Sequence, residues 1–506
     1  MADNEGCRVG SPAAAETMAA AGIAMDAPET TRLEARDGAV ATWRSGRFVP
    51  LAVASALFMD LMDSSALATA LPTLSRVFHA DPFVLKLALT AYLVTVAVLV
   101  PASGWLSDRV GIKRTFMIAM AVFVAGSICC GLSNSVKQLV LARIFQGVGG
   151  SMMTPVGRNI VVASSPKESL VKALAWFTLP AILGPLAGPP LAGLILEYGN
   201  WRWIFLINVP VGAIGLLVVA LLVPRIERVR TGRFDWVGFL QIGSSITLLM
   251  MLIETGGLEG KPAWIRVLAV VATAAAMLVY YRHAMTTDAV VDLKLLRRDT
   301  LAVSLLASWL QRLALGALPY LLPLLLQTAM GLSPLAASQV MTAMAAGSLA
   351  ARFILPPIIR RLGFRSAGLL LAAANAVMSA TPAFFHVGTP VGAMMILMAL
   401  TSLTRGLFFI LTQTLAYADV EQREVGHASV LFTVAQQLSY GMGVTLAAWL
   451  LELSSGKAQL TVEMFRMPFL VIAAFGALSV LVFVPLRAAA GDAMRGRRAA
   501  VASAEP

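Results

Sequence analysis

The chain has 506 residues, 58% of them hydrophobic and only 13% charged, with a formal net charge of +12 at pH 7 and a mean hydropathy of +0.79. Soluble domains carry about twice that charged share, which excludes a soluble enzyme and points to an all-α polytopic membrane protein. The basic surplus is spread along the chain as topology signals, so no nucleic-acid partner is expected, and Cys7, Cys129 and Cys130 read as packing residues rather than a disulfide framework.

Residues 1–47 are Ala-rich, mixed in charge and without an apolar run, and read as a disordered cytoplasmic tail. Fourteen apolar runs follow, near 50–72, 84–106, 115–133, 138–163, 171–196, 203–223, 236–254, 264–281, 301–327, 335–357, 367–385, 390–416, 427–452 and 468–487. Each reaches or approaches the ~20 residues a helix needs to cross the hydrocarbon core. With the N-terminus inside and sides alternating, 26 Lys/Arg fall inside, eight outside and five within spans (Arg143, Arg158, Arg312, Arg352 and Arg405). That asymmetry predicts both termini in the cytoplasm. The organisation expected is a six-helix bundle (48–223), a cytoplasmic linker (224–235) and two additional spans (236–283). A cytoplasmic loop (284–299), a second six-helix bundle (300–487) and a second tail (488–506) complete it.

The first span carries Asp60 and Asp63, three apart and therefore on one helical face. A charged acid near mid-bilayer costs roughly 2.5–3.5 kcal/mol on insertion scales, so such a group pairs, lines a wet cavity or takes up a proton. The stretch Gly104-Trp-Leu-Ser-Asp108-Arg109-Val-Gly111-Ile-Lys113-Arg114 joins the second and third spans and reads as a tight, hydrogen-bonded charged loop at the cytoplasmic face. In the fourth span, Arg143 precedes Gln146 and Gly147; by depth its guanidinium falls within reach of Asp63 if the two helices are neighbours. The fifth span holds Pro180, Gly184, Pro185, Gly188, Pro189, Pro190 and Gly193, a pattern expected to bend the helix and leave a smooth groove for a partner.

The ninth span places Arg312 at the depth of Asp60, which suggests a pair between them. Arg405, Gln413, Gln436 and Gln437 are further cavity candidates, whereas His283 and His427 fall in cytoplasmic loops and receive no role. Around Arg360, Arg361, Gly363 and Arg365 the signature loop recurs in worn form, 252 positions after Arg109, Gly111 and Lys113. Such internal duplication implies two related bundles with a site at their interface. No metal-spaced cluster, nucleotide loop or nucleophile elbow is present, so no catalytic residue, metal or cofactor is expected.

Together these motifs resemble the fourteen-span EmrB/QacA-type drug:proton antiporter family of the major facilitator superfamily, and within it the MdtD-type branch. The resemblance covers about residues 48–487 and rests on Gly104–Arg114, on Arg143-x-x-Gln146-Gly147, on Gly184-Pro185-x-x-Gly188, on Asp63 with Ala70-Leu71-Pro72 and, for the branch, on the run from Gly184–Gly193 into Trp201-Arg-Trp203-Ile-Phe-Leu-Ile-Asn208-Val-Pro210 and on Arg312 with Pro319 and Pro323. It implies two bundles plus two central helices, and proton coupling through Asp63, Asp60 and Arg143. Conformational control would fall to the signature loop, and the fifth helix would serve as an antiporter motif. The expected partners are a small-molecule substrate, protons and the lipid bilayer of a bacterial inner membrane, with a monomer as the working expectation. Lipophilic drugs are the expected cargo; an organic anion such as a carboxylate is the alternative, and a transporter-fold sensor or membrane-embedded enzyme a more distant one. Ser65 and Ala68 depart from the family's residues beside Asp63, as do Pro180 and Pro189 in the fifth helix and Asp60 itself.

Overall fold

In a low-dielectric bilayer every backbone N–H and C=O must be satisfied within its own segment, so apolar runs of this length fold as helices. The computed structural model describes residues 48–164, 170–223, 234–254, 263–286, 291, 293–416, 425–455 and 460–486, and the elements found among them are helical. In chain order they are α1 (Val49–Val77), α2 (Pro82–Val110), α3 (Ile112–Leu132), α4 (Val136–Ser164), α5 (Leu170–Tyr198), α6 (Trp203–Leu222), α7 (Trp236–Glu254) and α8 (Ala263–Thr286). There follow α9 (Asp299–Ala329), α10 (Pro334–Ser379), α11 (Val391–Ala416), α12 (Val425–Ser455) and α13 (Val462–Phe483). Among the described residues, nine segments are both long and apolar enough to cross a membrane. The linker arginines, His427 and Arg360 lie outside the described side chains.

Local chemistry sets the breaks. Asp81 accepts the Phe83 N–H at 2.9 Å to start α2, and Ser333 accepts the Ala336 N–H at 3.2 Å ahead of Pro334 to start α10. The signature segment is not a loop. Ser103–Val110 stays helical, and the reversal is confined to Gly111, whose φ of 103° only glycine adopts cheaply. Gly363, at φ 78°, bends α10 into arms 334–362 and 364–379 at the equivalent position of the repeat. Lys113 then donates to the carbonyls of Ala220 (2.8 Å) and Val223 (2.5 Å) at the end of α6. Arg365 donates to Val484 just past α13 at 2.9 Å. In both halves a basic residue two positions after the glycine thus satisfies orphan carbonyls at a helix C-terminus.

Despite its prolines, α5 runs unbroken from Leu170 to Tyr198. The expected groove is there: a Cβ on Gly184 would lie 2.9 Å from the Phe58 carbonyl of α1, and one on Gly188 would lie 2.8 Å from that of Met62. Gly193 instead meets α10, where a Cβ would stand 2.4 Å from Ser338 Oγ and 3.2 Å from Leu335 Cα.

The two halves also meet through α1, where the Gln327 side-chain amide donates to the Thr69 carbonyl at 2.9 Å and Thr69 Oγ1 lies 3.3 Å from Met341 Sδ. Gln327 belongs to a π-helical turn, Leu324–Ala329, that follows Pro323. These contacts lie toward the Val77 end of α1. From mid-depth toward the Gly111 end, Ala97 of α2 packs with Val434 of α12 and Ile246 of α7. The halves therefore touch on both sides of the middle, with α7 wedged along the α2–α12 seam. Outer faces are apolar: Val267, Leu268, Val271 and Leu278 of α8 are all more than half exposed, as a lipid-facing helix requires.

At the Gly111 end, Trp105, Phe234, Trp236 and Phe239 form an aromatic cluster, with Trp236 edge-to-face on Trp105 and Phe234, and Arg109 lies over the Trp105 ring at 5.4 Å. Asp235 accepts the Gly238 N–H at 2.8 Å and pairs with His283 Nε2 at 2.9 Å. His283 is accordingly not a loop residue: α8 extends through Thr286, and the imidazole ties it to the start of α7.

Candidate functional site

Asp63 lies on the face of α1 that turns into the N-terminal half and is 1% exposed. An ion this deep needs a counter-charge and saturated hydrogen bonds, and the neighbouring helices supply both. Arg143 of α4, fully buried, forms the ion pair with Asp63 Oδ2 through Nη1. The same guanidinium donates to Gln146 Oε1 at 2.6 Å and through Nε to the Ala88 carbonyl of α2 at 3.2 Å. On Asp63 Oδ1 converge Asn208 Nδ2 of α6 at 2.7 Å and Gln146 Nε2 at 3.2 Å. Both amides also reach Ser127 Oγ of α3 at 2.9 Å.

Tyr92 of α2 links this network to the second carboxylate. Its ring lies 4.5 Å from the Arg143 guanidinium carbon, a cation–π arrangement, and its hydroxyl donates to Asp60 Oδ1. Asp60 is only half-buried, unlike Asp63. Small residues make the room. A Cβ on Gly150 would lie 2.2 Å from the Tyr92 hydroxyl, one on Gly147 would lie 2.9 Å from Thr95 Cβ, and one on Gly126 would lie 2.5 Å from Gln146 Cα. Five helices, α1, α2, α3, α4 and α6, thus share one buried polar cluster.

The anticipated contact between Arg143 and Asp63 is present, with Gln146 beside it. The anticipated pair between Asp60 and Arg312 is not. Depth along the bilayer is only one coordinate, and Asp60 turns toward α2 and Tyr92. Arg312 instead lies over the Phe409 ring of α11 at 4.6 Å. Arg405, 6% exposed, donates to Ser402 Oγ at 3.2 Å, and the Gln311 side-chain amide donates to the Arg405 carbonyl at 2.9 Å. Gln413, Gln436 and Gln437 are half-buried. Around the signature segment, Lys113 caps α6 and Arg109 stacks on Trp105. Gly104 has open space where a Cβ would stand, so close packing does not explain it in this conformation. Tyr92, Ser127 and Asn208 are members of the site to which the sequence reading gave no role, Asn208 entering it only as part of a resembling run. Asn208, the one strong polar group in the apolar stretch Trp203–Leu222, was the available signal.

A helical bundle with apolar outer faces and ionisable groups gathered at mid-depth between its helices defines a membrane transporter of small solutes. The chain belongs to the major facilitator superfamily, whose profile matches residues 53–381 and 304–506. It is similar to the MdtD protein of Klebsiella pneumoniae subsp. pneumoniae, provisionally named a multidrug resistance protein, with 35% identity over 440 residues, 85% of this chain and 93% of that one. The protein of the same name from Salmonella heidelberg is 33% identical over 443 residues at the same coverage. Among solved structures, a D-xylose-proton symporter superposes with a TM-score of 0.64 at 14% identity, over 88% of this chain and 98% of its own. The inward-open xylose transporter XylE from E. coli gives 0.60 at 13% identity, over 88% and 99%. At such identities these two likenesses concern the fold alone.

Proposed function

We propose that this protein is a proton-driven antiporter of the fourteen-span EmrB/QacA type, exporting amphipathic small molecules of the drug class across a bacterial inner membrane by alternating access. The observation that carries the reading is the buried ion pair of Asp63 and Arg143, held by hydrogen bonds from Gln146 and Asn208. Breaking a buried pair by neutralising one partner costs about 3–5 kcal/mol, so arrival of a proton on Asp63 is a strong perturbation of the α1–α4 contact. The released guanidinium keeps the contacts it already makes with Gln146, the Ala88 carbonyl and the Tyr92 ring. Protonation thereby weakens the hold of α1 on α4 while the guanidinium stays hydrogen-bonded to neutral partners. Each proton moved inward down 100 mV contributes about 2.3 kcal/mol to the cycle.

The helices α1 to α8, the two arms of α10 and the remaining α9, α11, α12 and α13 fall on the fourteen apolar runs, which supports the six-plus-two-plus-six plan. The matching glycine bends and basic caps at Gly111/Lys113 and Gly363/Arg365 support two related bundles. Contacts between halves on both sides of mid-depth fit an occluded intermediate. In this reading Gly104, Asp108, Arg109, Gly111, Lys113 and Arg114 govern the rate of conformational exchange. Gly184, Pro185, Gly188 and Gly193 supply the α5 surface on which α1 and α10 move. The relatives named for multidrug resistance favour the drug class. Substrate-evoked proton movement in inverted membrane vesicles, screened over a compound panel, tests the proposal. Proton flux present with the native chain and absent with Asp63→Asn is the expected result, and no evoked flux from any compound would refute it.

A further inference from the structure

The C-terminal half holds an unbalanced charge. Two arginines at mid-membrane depth are each costly to place there, yet among the described residues neither Arg312 nor Arg405 has a carboxylate partner. Asp63 is committed to Arg143 and Asp60 to Tyr92. The other described carboxylates, such as Asp81, Glu197, Asp299 and Glu452, sit at or near helix ends.

The two arginines share neighbours. Arg312 lies on the ring of Phe409, and Phe409 is one turn from Arg405 on α11. The adjacent Gln311 donates to the Arg405 carbonyl. Tyr440 of α12 lies within electrostatic range of both cations, and Gln436 is one turn before it. Three buried N–H donors on the helices that carry these residues have no hydrogen-bond partner: Arg312 Nε, Arg405 Nη1 and Gln436 Nε2. They come from three different helices, α9, α11 and α12. Unpartnered N–H donors from three helices, two permanent positive charges and an aromatic face supply the chemistry of an oxyanion receptor.

Resting on the antiport reading above, we infer that Arg312, Arg405 and Gln436 form an anion subsite, and that the exported compound carries an oxyanion headgroup on an apolar body. Phe409 covers one face of the Arg312 guanidinium and leaves its edge to the headgroup. The apolar body then extends toward the N-terminal half, where the half-buried Asp60 disfavours a second negative charge. The substrate is therefore a monoanion.

This assignment has an electrical consequence. Exporting a monoanion against one inward proton carries two positive charges inward per cycle, whereas a neutral compound carries one and a cation none. The full-length protein in phosphatidylethanolamine–phosphatidylglycerol liposomes provides the test, with naphthalene-2-sulfonate as anionic probe and ethidium as cationic probe. Sulfonate binding in detergent should weaken roughly ten- to a hundredfold in Arg312→Gln and in Arg405→Gln, the equivalent of one charge-assisted hydrogen bond. Arg405→Lys should retain part of it, which guards against misfolding as the cause. Sulfonate transport should accelerate under a valinomycin-imposed potential directed to drive positive charge into the compartment it leaves. Failure of the sulfonate to bind, or equal binding by the Gln variants, overturns the inference. Ethidium-driven, Asp63-dependent proton flux with no sulfonate transport removes the anion subsite and leaves antiport standing. Sulfonate transport indifferent to Asp63→Asn removes proton antiport and leaves the subsite.

Discussion

Asp60 and Asp63 stand one helical turn apart on α1 yet answer to different partners: Asp63 is closed inside the Arg143 ion pair, while Asp60, half-buried, takes a hydrogen bond from Tyr92. The Tyr92 ring also rests against Arg143, so the two carboxylates communicate through one phenol.

That arrangement ranks the two acids. Asp63→Asn keeps the shape and the donors of its neighbours but cannot cycle a proton, and substrate-evoked proton flux should fall to the level of protein-free vesicles at near-normal abundance. Asp60→Asn should slow flux only several-fold. The reverse ranking would transfer the coupling role to Asp60.

Asn208 offers a test of the network's architecture. Replacing it by Leu removes one donor from a buried carboxylate, a loss of about 1–3 kcal/mol, with little change in volume. The thermal midpoint of the purified protein should drop by a few degrees, and Asn208→Asp should be worse because it sets a second acid beside Asp63. An unchanged midpoint in both variants would show that Asn208 does not support the ion pair.

Gly193 lies where α5 crosses into the other half. A valine there meets Ser338 Oγ and Leu335 Cα, so the variant should disfavour contact between α5 and α10 and populate a conformation open at that end. Spin labels at positions 196 and 335, in a background lacking Cys7, Cys129 and Cys130, should report a longer mean distance in Gly193→Val. An identical distance distribution would mean the contact does not gate that end.

Gly111 and Gly363 bend the chain at repeated positions with φ of 103° and 78°. Alanine at either should cost roughly 1–3 kcal/mol in strain, whereas Gly104→Ala fits this conformation without contact. Stability of Gly104→Ala should therefore match the native protein, and any loss of turnover would arise in another conformation of the cycle.

Sidedness follows from the basic residues. Reporter fusions after Gly232 and Gly363 should both register cytoplasm, and a fusion within 257–262 the outer side. An external 224–235 segment would break the six-plus-two-plus-six plan.

Much of this site was legible because charge is conspicuous in apolar sequence. Asp63 and Arg143 declare themselves by cost, Gln146 by its motif spacing from Arg143, and depth brings the first two together once their helices are neighbours. Depth failed for Asp60 and Arg312, since residues at one level can face different neighbours around the bundle. Ser127 and Tyr92 were illegible because neutral polar groups are cheap in membrane helices and common on packing faces. The signature segment misled in another way: its charges suggested a loop, but its backbone continues the helix until Gly111 alone reverses it. Prolines in α5 suggested a bend, and the helix continues through them from Leu170 to Tyr198.

The leucines of α9 bear on how the protein is made. Arg312 in mid-helix opposes entry into the bilayer by roughly 2.5–3.5 kcal/mol on insertion scales. Asp299–Ala329 contains twelve leucines, each returning about 0.3–0.6 kcal/mol when centrally placed. Their abundance is ballast for biogenesis: it lets the translocon release into lipid a segment whose arginine finds its companions only when α11 and α12 have been synthesised. Changing Leu305, Leu306 and Leu315, the least buried of the twelve, to alanine would then lower yield at the ribosome, while the molecules that do mature would still turn over normally.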